Sequence, residues 1–106
     1  MFILELDKKL DQFDQVRRSV KIIFLDNSQT GVVDDHHGTL SLQRHVTWRI
    51  GVEMIGLSVG QIAKIYGVER SSVWRAIDRL RVNCANDKVA LRFFNAVRNK
   101  LTNQLH

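Results

Sequence analysis

The sequence predicts an all-α fold, a small helical bundle with a long N-terminal helix, on three observations. The 106 residues contain no proline. Glycines and small polar residues cluster at only a few places, which favours a few helices with short loops over many short strands. Apolar residues recur every three or four positions over most of the chain. A chain of this length is expected to form one domain, residues 1–106, around a single hydrophobic core.

The first predicted helix covers residues 1–25. Its apolar residues follow helical spacing: Ile3, Leu6, Leu10, Phe13, Val16, Val20, Ile23 and Phe24. The pattern fits one long helix or two helices broken near Phe13. Its apolar stripe either closes the core of its own domain, which we favour, or pairs the first half with a second copy in a coiled-coil seam. The second alternative predicts a homodimer through the N-terminal helix.

Residues 26–40 are predicted to be a loop with at most one helical turn, because Asn27, Gly31 and Gly38 disfavour helix. A supporting helix resumes near Ser41, which can act as its N-cap. Its inward residues are predicted to be Leu42, Val46, Ile50 and Met54, with Trp48 and Ile55 beside them.

Residues 57–80, LSVGQIAKIYGVERSSVWRAIDRL, predict two short helices around a tight turn. Ser58 can cap the first helix, and Ser71 or Ser72 can cap the second. Gly67 stands where a left-handed turn residue is needed. The arrangement is that of a helix-turn-helix, whose second helix enters the major groove of DNA. Residues 41–82 would hold this unit and its supporting helix.

The second helix of this unit separates into two faces at about 100° per residue. The buried stripe is predicted to be Val73, Ile77 and Leu80. Hydroxyls and guanidiniums occupy the other side, on Ser71, Ser72, Arg75 and Arg79. Such groups bind phosphates and base edges, Arg to guanine being the commonest specific pair. Trp74 lies about 100° from the buried stripe and is expected to be partly buried.

The remaining chain predicts one more helix. The preceding helix is expected to end near Val82, before the segment NCAND. The last helix covers residues 87–105, and its inward residues are predicted to be Val89, Phe93, Val97 and Leu101.

The net charge of +5 is unevenly distributed. Residues 1–42 have five Lys or Arg against seven Asp or Glu, which gives −2. Residues 43–82 have seven against three, and residues 83–106 have four against one, which gives +4 and +3. The basic part suits a polyanion such as double-stranded DNA, although ordinary solubilising charge is the alternative explanation.

The sequence predicts no enzyme, no cofactor and no metal site. Asp34, Asp35, His36 and His37 could ligate a metal, but adjacent ligands do not all converge from an extended loop, so a solvated loop is favoured. Cys84 is the one cysteine, which excludes an internal disulfide, and it has no nucleophile motif around it. A glycine-rich phosphate loop is also absent from the sequence.

Early acidic residues at Glu5 and Asp7 do not fit a signal peptide. No stretch approaches the ~20 apolar residues of a membrane span. We therefore expect a cytoplasmic, nucleoid-associated protein without membrane contact.

Several motifs follow the pattern of one DNA-binding family. Arg44-His45 stands where the family has an Arg-Gln pair opening a supporting helix. Ser58 opens the next helix, as it does in the family. That helix carries the counterparts of the family's Glu, Ile and Phe at Gln61, Ile62 and Tyr66. The segment Glu69–Val73, ERSSV, stands where the family has Asp-His-Thr-Thr-Val.

On these motifs, residues 43–80 resemble the C-terminal DNA-binding domain of the bacterial replication initiator DnaA, without its ATPase domain. A weaker match extends from about Val16 to Leu101. The resemblance implies a Trp-repressor-like helical bundle that binds double-stranded DNA. It implies that Arg44 enters the minor groove and that Glu69–Ser72 lies at the base-reading end of the recognition helix.

The chain also departs from that family's pattern. One residue of the family's Gly-Gly-Arg signature is missing before Glu69, and the loop that is basic in the family carries Asp34 and Asp35 here. We therefore expect a recognition sequence different from the family's own.

The sequence as a whole predicts a sequence-specific DNA-binding protein that regulates transcription or replication. The predicted DNA-binding residues are Arg44, Arg49, Ser58, Lys64, Glu69, Arg70, Ser71, Ser72, Arg75 and Arg79. One alternative is an adaptor whose helices bind a protein partner. Another is a small DNA-recognition subunit, of terminase, recombinase or transposase type, that recruits a separate catalytic protein.

Overall fold

The computed structural model describes the backbone of residues 2–29, 36–86 and 88–105, and the side chains of residues 5–24, 42–82 and 91–103. Its five α-helices are α1 (Phe2–Gln29), α2 (His36–Ile50), α3 (Val59–Tyr66), α4 (Arg70–Asn86) and α5 (Lys88–Leu105). A π-helical turn, Gly51–Ile55, continues α2. The described residues contain no strand, which confirms the small all-α bundle.

The first helix, α1, is continuous through Phe13. Its residues Phe13, Val16, Val20 and Phe24 are buried in the core of the same chain, as the favoured alternative predicts. Phe24 packs against Phe93 of α5, with ring centroids 3.5 Å apart. Leu6 lies on the same helical face but is 37% exposed, because the first turns of α1 extend beyond the core.

Three predicted boundaries are wrong. Helix α1 runs through Asn27 to Gln29, and α2 begins at His36. The predicted loop is therefore too long, and Ser41 lies inside α2 rather than capping it. Helix α4 continues to Asn86, past the predicted end at Val82. An isolated Gly or Asn residue destabilises a helix by at most about 1 kcal/mol. Continuing the helix readily offsets this cost.

Part of the expected loop lies outside the described residues. This applies to Gly31, Asp34 and Asp35, and to the side chains of His36 and His37. The Cys84 side chain also lies outside them.

Where side chains are described, the predicted inward positions of α2, the π turn and α5 are buried or partly buried; the side chain of Val89 lies outside the described residues. On α2 and the π turn, Val46, Trp48, Ile50 and Ile55 are buried, and Leu42 and Met54 are partly buried. On α5 the buried residues are Phe93, Phe94, Val97 and Leu101. None of the described helices combines the length and apolar character that a membrane span requires.

The π turn brings three helices together at Gly51. A Cβ atom built on Gly51 would lie 2.6 Å from Cε1 of Phe13 and 3.1 Å from Cδ1 of Ile62. The absence of a side chain therefore lets the backbone of the π turn approach α1 and α3 closely. The turn ends at Gly56, whose φ of 83° lies in the left-handed region that favours glycine.

Candidate nucleic-acid interface

Helix α3 begins with a complete capping box. The Ser58 hydroxyl accepts a hydrogen bond of 3.0 Å from the Gln61 backbone N–H, and the Gln61 side-chain oxygen accepts one of 2.9 Å from the Ser58 N–H. The predicted cap is thus confirmed, and it fixes the start of α3.

The connection from α3 to α4 is three residues long. Gly67 adopts a φ of 65°, which confirms the left-handed turn residue, and the Val68 N–H donates to the Ala63 carbonyl at 3.0 Å. Helix α4 starts at Arg70. The Glu69 carbonyl accepts hydrogen bonds from the Ser72 and Val73 N–H groups, at 3.1 and 3.4 Å.

This start of α4 corrects the predicted cap. Ser71 and Ser72 lie inside the first turn, because α4 begins two or three residues before the expected position. Neither hydroxyl therefore occupies the N-cap position of α4. Both residues are exposed.

Helix α4 has the two faces that its sequence predicts. Its buried residues are Val73, Ala76, Ile77 and Leu80. Its exposed polar residues include Ser71, Ser72, Arg75 and Arg79. The outward side therefore offers two hydroxyls and two guanidiniums to a ligand.

Trp74 is 60% exposed, so the expectation of partial burial is wrong in extent. A side chain at the edge of a buried stripe is covered only when a neighbouring helix flanks it. No described helix covers that flank of α4. A large aromatic side chain therefore lies on the surface beside Arg75.

Arg44 lies on α2 and is exposed. Its guanidinium carbon is 5.6 Å from the centre of the Tyr66 ring and 5.8 Å from that of the Trp48 ring. Both rings therefore lie within the range of cation–π attraction. Tyr66 belongs to the end of α3, so Arg44 is held next to the α3–α4 connection.

His45 links Arg44 to α4. Its pKa is lowered from the ordinary value of 6.5, first by burial and then by the positive charges of Arg79 and Arg44. Both guanidiniums must lie near the imidazole to have this effect. The positive charges of Arg44 on α2 and Arg79 on α4 therefore both act on the His45 imidazole.

Four more of the predicted residues lie on α3, on its cap or at the start of α4. Ser58, Lys64, Glu69 and Arg70 are exposed. The Arg70 side chain folds back over the first turn of α3, with Nε 3.0 Å from the position that a Cβ on Gly60 would take. Arg70 and Ser58 therefore both lie at the N-terminal end of α3.

Arg49 does not join this group. Its Nε donates to Glu53 Oε2 at 2.8 Å, and its side chain is only 17% exposed. Its guanidinium carbon lies 4.0 Å from the centre of the Phe94 ring on α5. The structure therefore places Arg49 between helices rather than on the exposed face of α4.

Two basic residues of α1 were missed by the sequence reasoning. Arg17 and Lys21 line a cleft of about 190 Å³ together with Gln43, Arg44 and Tyr66. The first 42 residues are acidic in total, which concealed a local basic patch. A sequence signal was present, since Arg17 and Lys21 are four residues apart and lie on one flank of the α1 stripe.

The described residues include no group of three or more His, Cys, Asp or Glu side chains that could hold a metal ion. Comparisons with protein-family models, curated proteins and solved structures found no match to this chain.

Proposed function

We propose that this protein binds double-stranded DNA sequence-specifically and regulates transcription or replication at the nucleoid, in the cytoplasm. Helices α3 and α4 would act as a helix-turn-helix, with α4 in the major groove. The observation that carries the proposal is the division of α4. Val73, Ile77 and Leu80 are buried, while Arg75 and Arg79 are exposed.

A second groove contact is proposed for Arg44. Arg44 and Arg79 both lie near His45, so positive charge continues from α4 onto α2. A guanidinium beside the recognition helix can reach the adjacent minor groove, where narrow segments attract Arg. The resemblance to the DnaA domain assigns Arg44 this same role.

Backbone contacts are proposed for the N-terminal end of α3 and for its exposed lysine. The first turn of a helix offers free N–H groups and a positive dipole end, which favour phosphate. Arg70 lies over that turn, and Ser58 and Lys64 are exposed. These contacts would orient the protein on DNA without reading its sequence.

Dimerisation through α1 remains a proposal that would improve specificity. Leu6 is exposed, although it lies on the same face of α1 as Phe13, which is buried. A second copy could cover this face, and a dimer would then read two half-sites.

The proposal is tested by a double variant, Arg75→Ala with Arg79→Ala. Duplex fragments are first selected from a random pool, and affinity for the recovered sequence is measured by fluorescence anisotropy. We expect a loss of more than about tenfold, because one good Arg–base contact is worth about 1–3 kcal/mol. The matched control is Lys8→Ala with Arg92→Ala, which removes two exposed charges elsewhere.

Two results would contradict the proposal. One is an equal loss of affinity in the control variant, which would indicate attraction by net charge alone. The other is a selection that enriches no sequence above background. A palindromic sequence would support the dimer, because half-site symmetry follows protein symmetry.

Exposed Trp74 favours the adaptor as a second candidate. Tryptophan is enriched at protein interfaces, and this one is 60% exposed on α4. For an adaptor, Trp74→Ala would abolish partner binding and the double Arg variant would preserve it. A recombinase-type recognition subunit would bind DNA as proposed and differ only in recruiting a catalytic protein.

A further inference from the structure

We infer that the cleft between α1 and α2 binds a phosphate group. The cleft is the one lined by Arg17, Lys21, Gln43, Arg44 and Tyr66. The phosphate is either a phosphodiester of bound DNA or part of a free polyphosphate. The first source rests on the proposed function, and the second does not.

Two guanidiniums converge on one aromatic ring at this cleft. The guanidinium carbon of Arg17 lies 5.2 Å from the centre of the Tyr66 ring, and that of Arg44 lies 5.6 Å from it. Each guanidinium is attracted by the ring, and both residues line the same cleft. An anion bound in that cleft would be attracted by both positive charges.

The described charges around the cleft are unbalanced. Among the described residues, Arg17 pairs with Asp14 at 3.6 Å, and this pair is exposed. No described carboxylate forms an ion pair with Lys21 or Arg44. Three cations and one carboxylate leave a local charge of +2. An exposed pair such as Arg17–Asp14 contributes little, so Arg17 can turn to a phosphate.

Neutral donors complete the cleft. Gln43 carries a side-chain amide that can donate to a phosphate oxygen. Tyr66 is half-buried, and burial raises the pKa of its phenol despite the opposing charges of Arg17 and Arg44. The phenol therefore keeps its proton at neutral pH and remains a donor. The Thr47 hydroxyl is already used, since it donates to the Gln43 carbonyl at 2.8 Å.

The size of the cleft limits its ligand. Its volume of about 190 Å³ is below the roughly 300–1,000 Å³ of pockets that enclose a drug-sized ligand. A small anion, or a phosphate projecting from a larger molecule, fits that space better. Forked guanidinium donors match the geometry of phosphate oxygens.

The first arm of the test measures the salt dependence of duplex binding. The variant is Arg17→Gln with Lys21→Gln, and the control with equal net charge is Lys8→Gln with Arg92→Gln. If the cleft holds a phosphodiester, the slope of log affinity against log salt becomes shallower by about 0.9, the value for one neutralised phosphate, in the variant only. Thermal unfolding establishes that both variants fold.

The second arm uses inorganic pyrophosphate and needs no DNA. Pyrophosphate is titrated into the labelled protein, and NMR shifts of the Gln43 side-chain amide and the Arg Nε–H groups are followed. If the cleft takes a free polyphosphate, these signals shift in the wild type and in the control variant. They do not shift in the Arg17→Gln, Lys21→Gln variant.

Either positive arm supports the cleft and identifies its phosphate source. The inference is overturned if the variant and control give equal salt slopes and pyrophosphate leaves the cleft signals unmoved. Loss of DNA binding in the Arg75→Ala, Arg79→Ala variant would then still support the proposed function. A wild type that binds no duplex would contradict the proposed function, and the pyrophosphate arm alone would decide the cleft.

Discussion

The guanidinium carbon of Arg49 lies 4.0 Å from the centre of the Phe94 ring, which joins α2 to α5. The same guanidinium donates to Glu53, and Glu53 also accepts a hydrogen bond of 3.4 Å from Arg81 of α4. Arg49 and Glu53 thus connect α2, the π turn, α4 and α5. The Nη1 atom of Arg49 is buried and has no hydrogen-bond partner among the described residues.

Replacing this arginine should lower stability and not DNA binding. We expect Arg49→Ala to reduce the free energy of unfolding by about 1–2 kcal/mol, the range for a desolvated cation–π contact. Denaturant unfolding measures this change. Arg75→Ala, the matched exposed arginine, should show the opposite pattern, with unchanged stability and weaker DNA binding. A stable Arg49→Ala protein with weakened DNA binding would instead support the original assignment of Arg49 to the interface.

The close approach at Gly51 gives a second prediction. In Gly51→Ala, the new methyl group would meet the Phe13 ring at 2.6 Å, and that ring is buried in the core. Overpacking of this kind costs about 1–3 kcal/mol. The midpoint of thermal unfolding should therefore fall.

Gly60→Ala is the control for this experiment. Its methyl group would meet the end of the flexible Arg70 side chain at 3.0 Å, and that side chain can turn away. Alanine is also better than glycine in a helix by roughly 0.5–1 kcal/mol. Stability should therefore stay level or rise. Equal destabilisation of both variants would show that Phe13 does not set the cost at Gly51.

The helices could be predicted because each is determined by local periodicity. The stripe of Val73, Ile77 and Leu80 follows directly from helical geometry, and the Ser58 cap and the Gly67 turn follow from local backbone chemistry. Helix ends were less predictable. The end of α4 at Asn86 depends on small propensity differences that its surroundings outweigh.

The candidate site was predictable only where it lies on one helix. Arg49 looks like a free cation in the sequence, and its burial depends on Phe94, which is distant along the chain. Exposure of Trp74 depends on which flank of α4 a neighbouring helix covers. The α1–α2 cleft requires knowing that Arg17 and Arg44 meet at Tyr66. These are tertiary relationships, and periodicity does not contain them.

The two tryptophans allow the environment of α4 to be measured directly. Trp48 is 3% exposed and Trp74 is 60% exposed. In the Trp48→Phe variant, fluorescence comes from Trp74, and we expect DNA to protect it from acrylamide quenching. Trp74→Phe is the control, because its remaining fluorescence should be insensitive to DNA. Unchanged quenching of Trp74 in the saturated complex would place DNA away from this flank of α4.

His45 should make DNA binding depend on pH. Burial and the charges of Arg79 and Arg44 lower its pKa below 6.5 in the free protein. DNA phosphates near Arg44 and Arg79 would offset those charges, so the pKa of His45 should rise when DNA binds. Between the free and the bound pKa, the complex holds more protons than the free protein, and affinity should increase as the pH falls.

The pH dependence of stability has the opposite sign to that of DNA affinity. As the pH falls, the affinity for DNA should rise and the stability of the fold should fall. Because the folded pKa is lower than the unfolded value near 6.5, protonation of His45 favours the unfolded chain. Its contribution to stability is present above pH 6.5 and is lost as the pH falls through the folded pKa. His45→Gln should remove both dependences. NMR titration of the His45 ring, with and without duplex, measures the shift; an identical pKa in both states would mean that no phosphate approaches the Arg44–His45–Arg79 cluster.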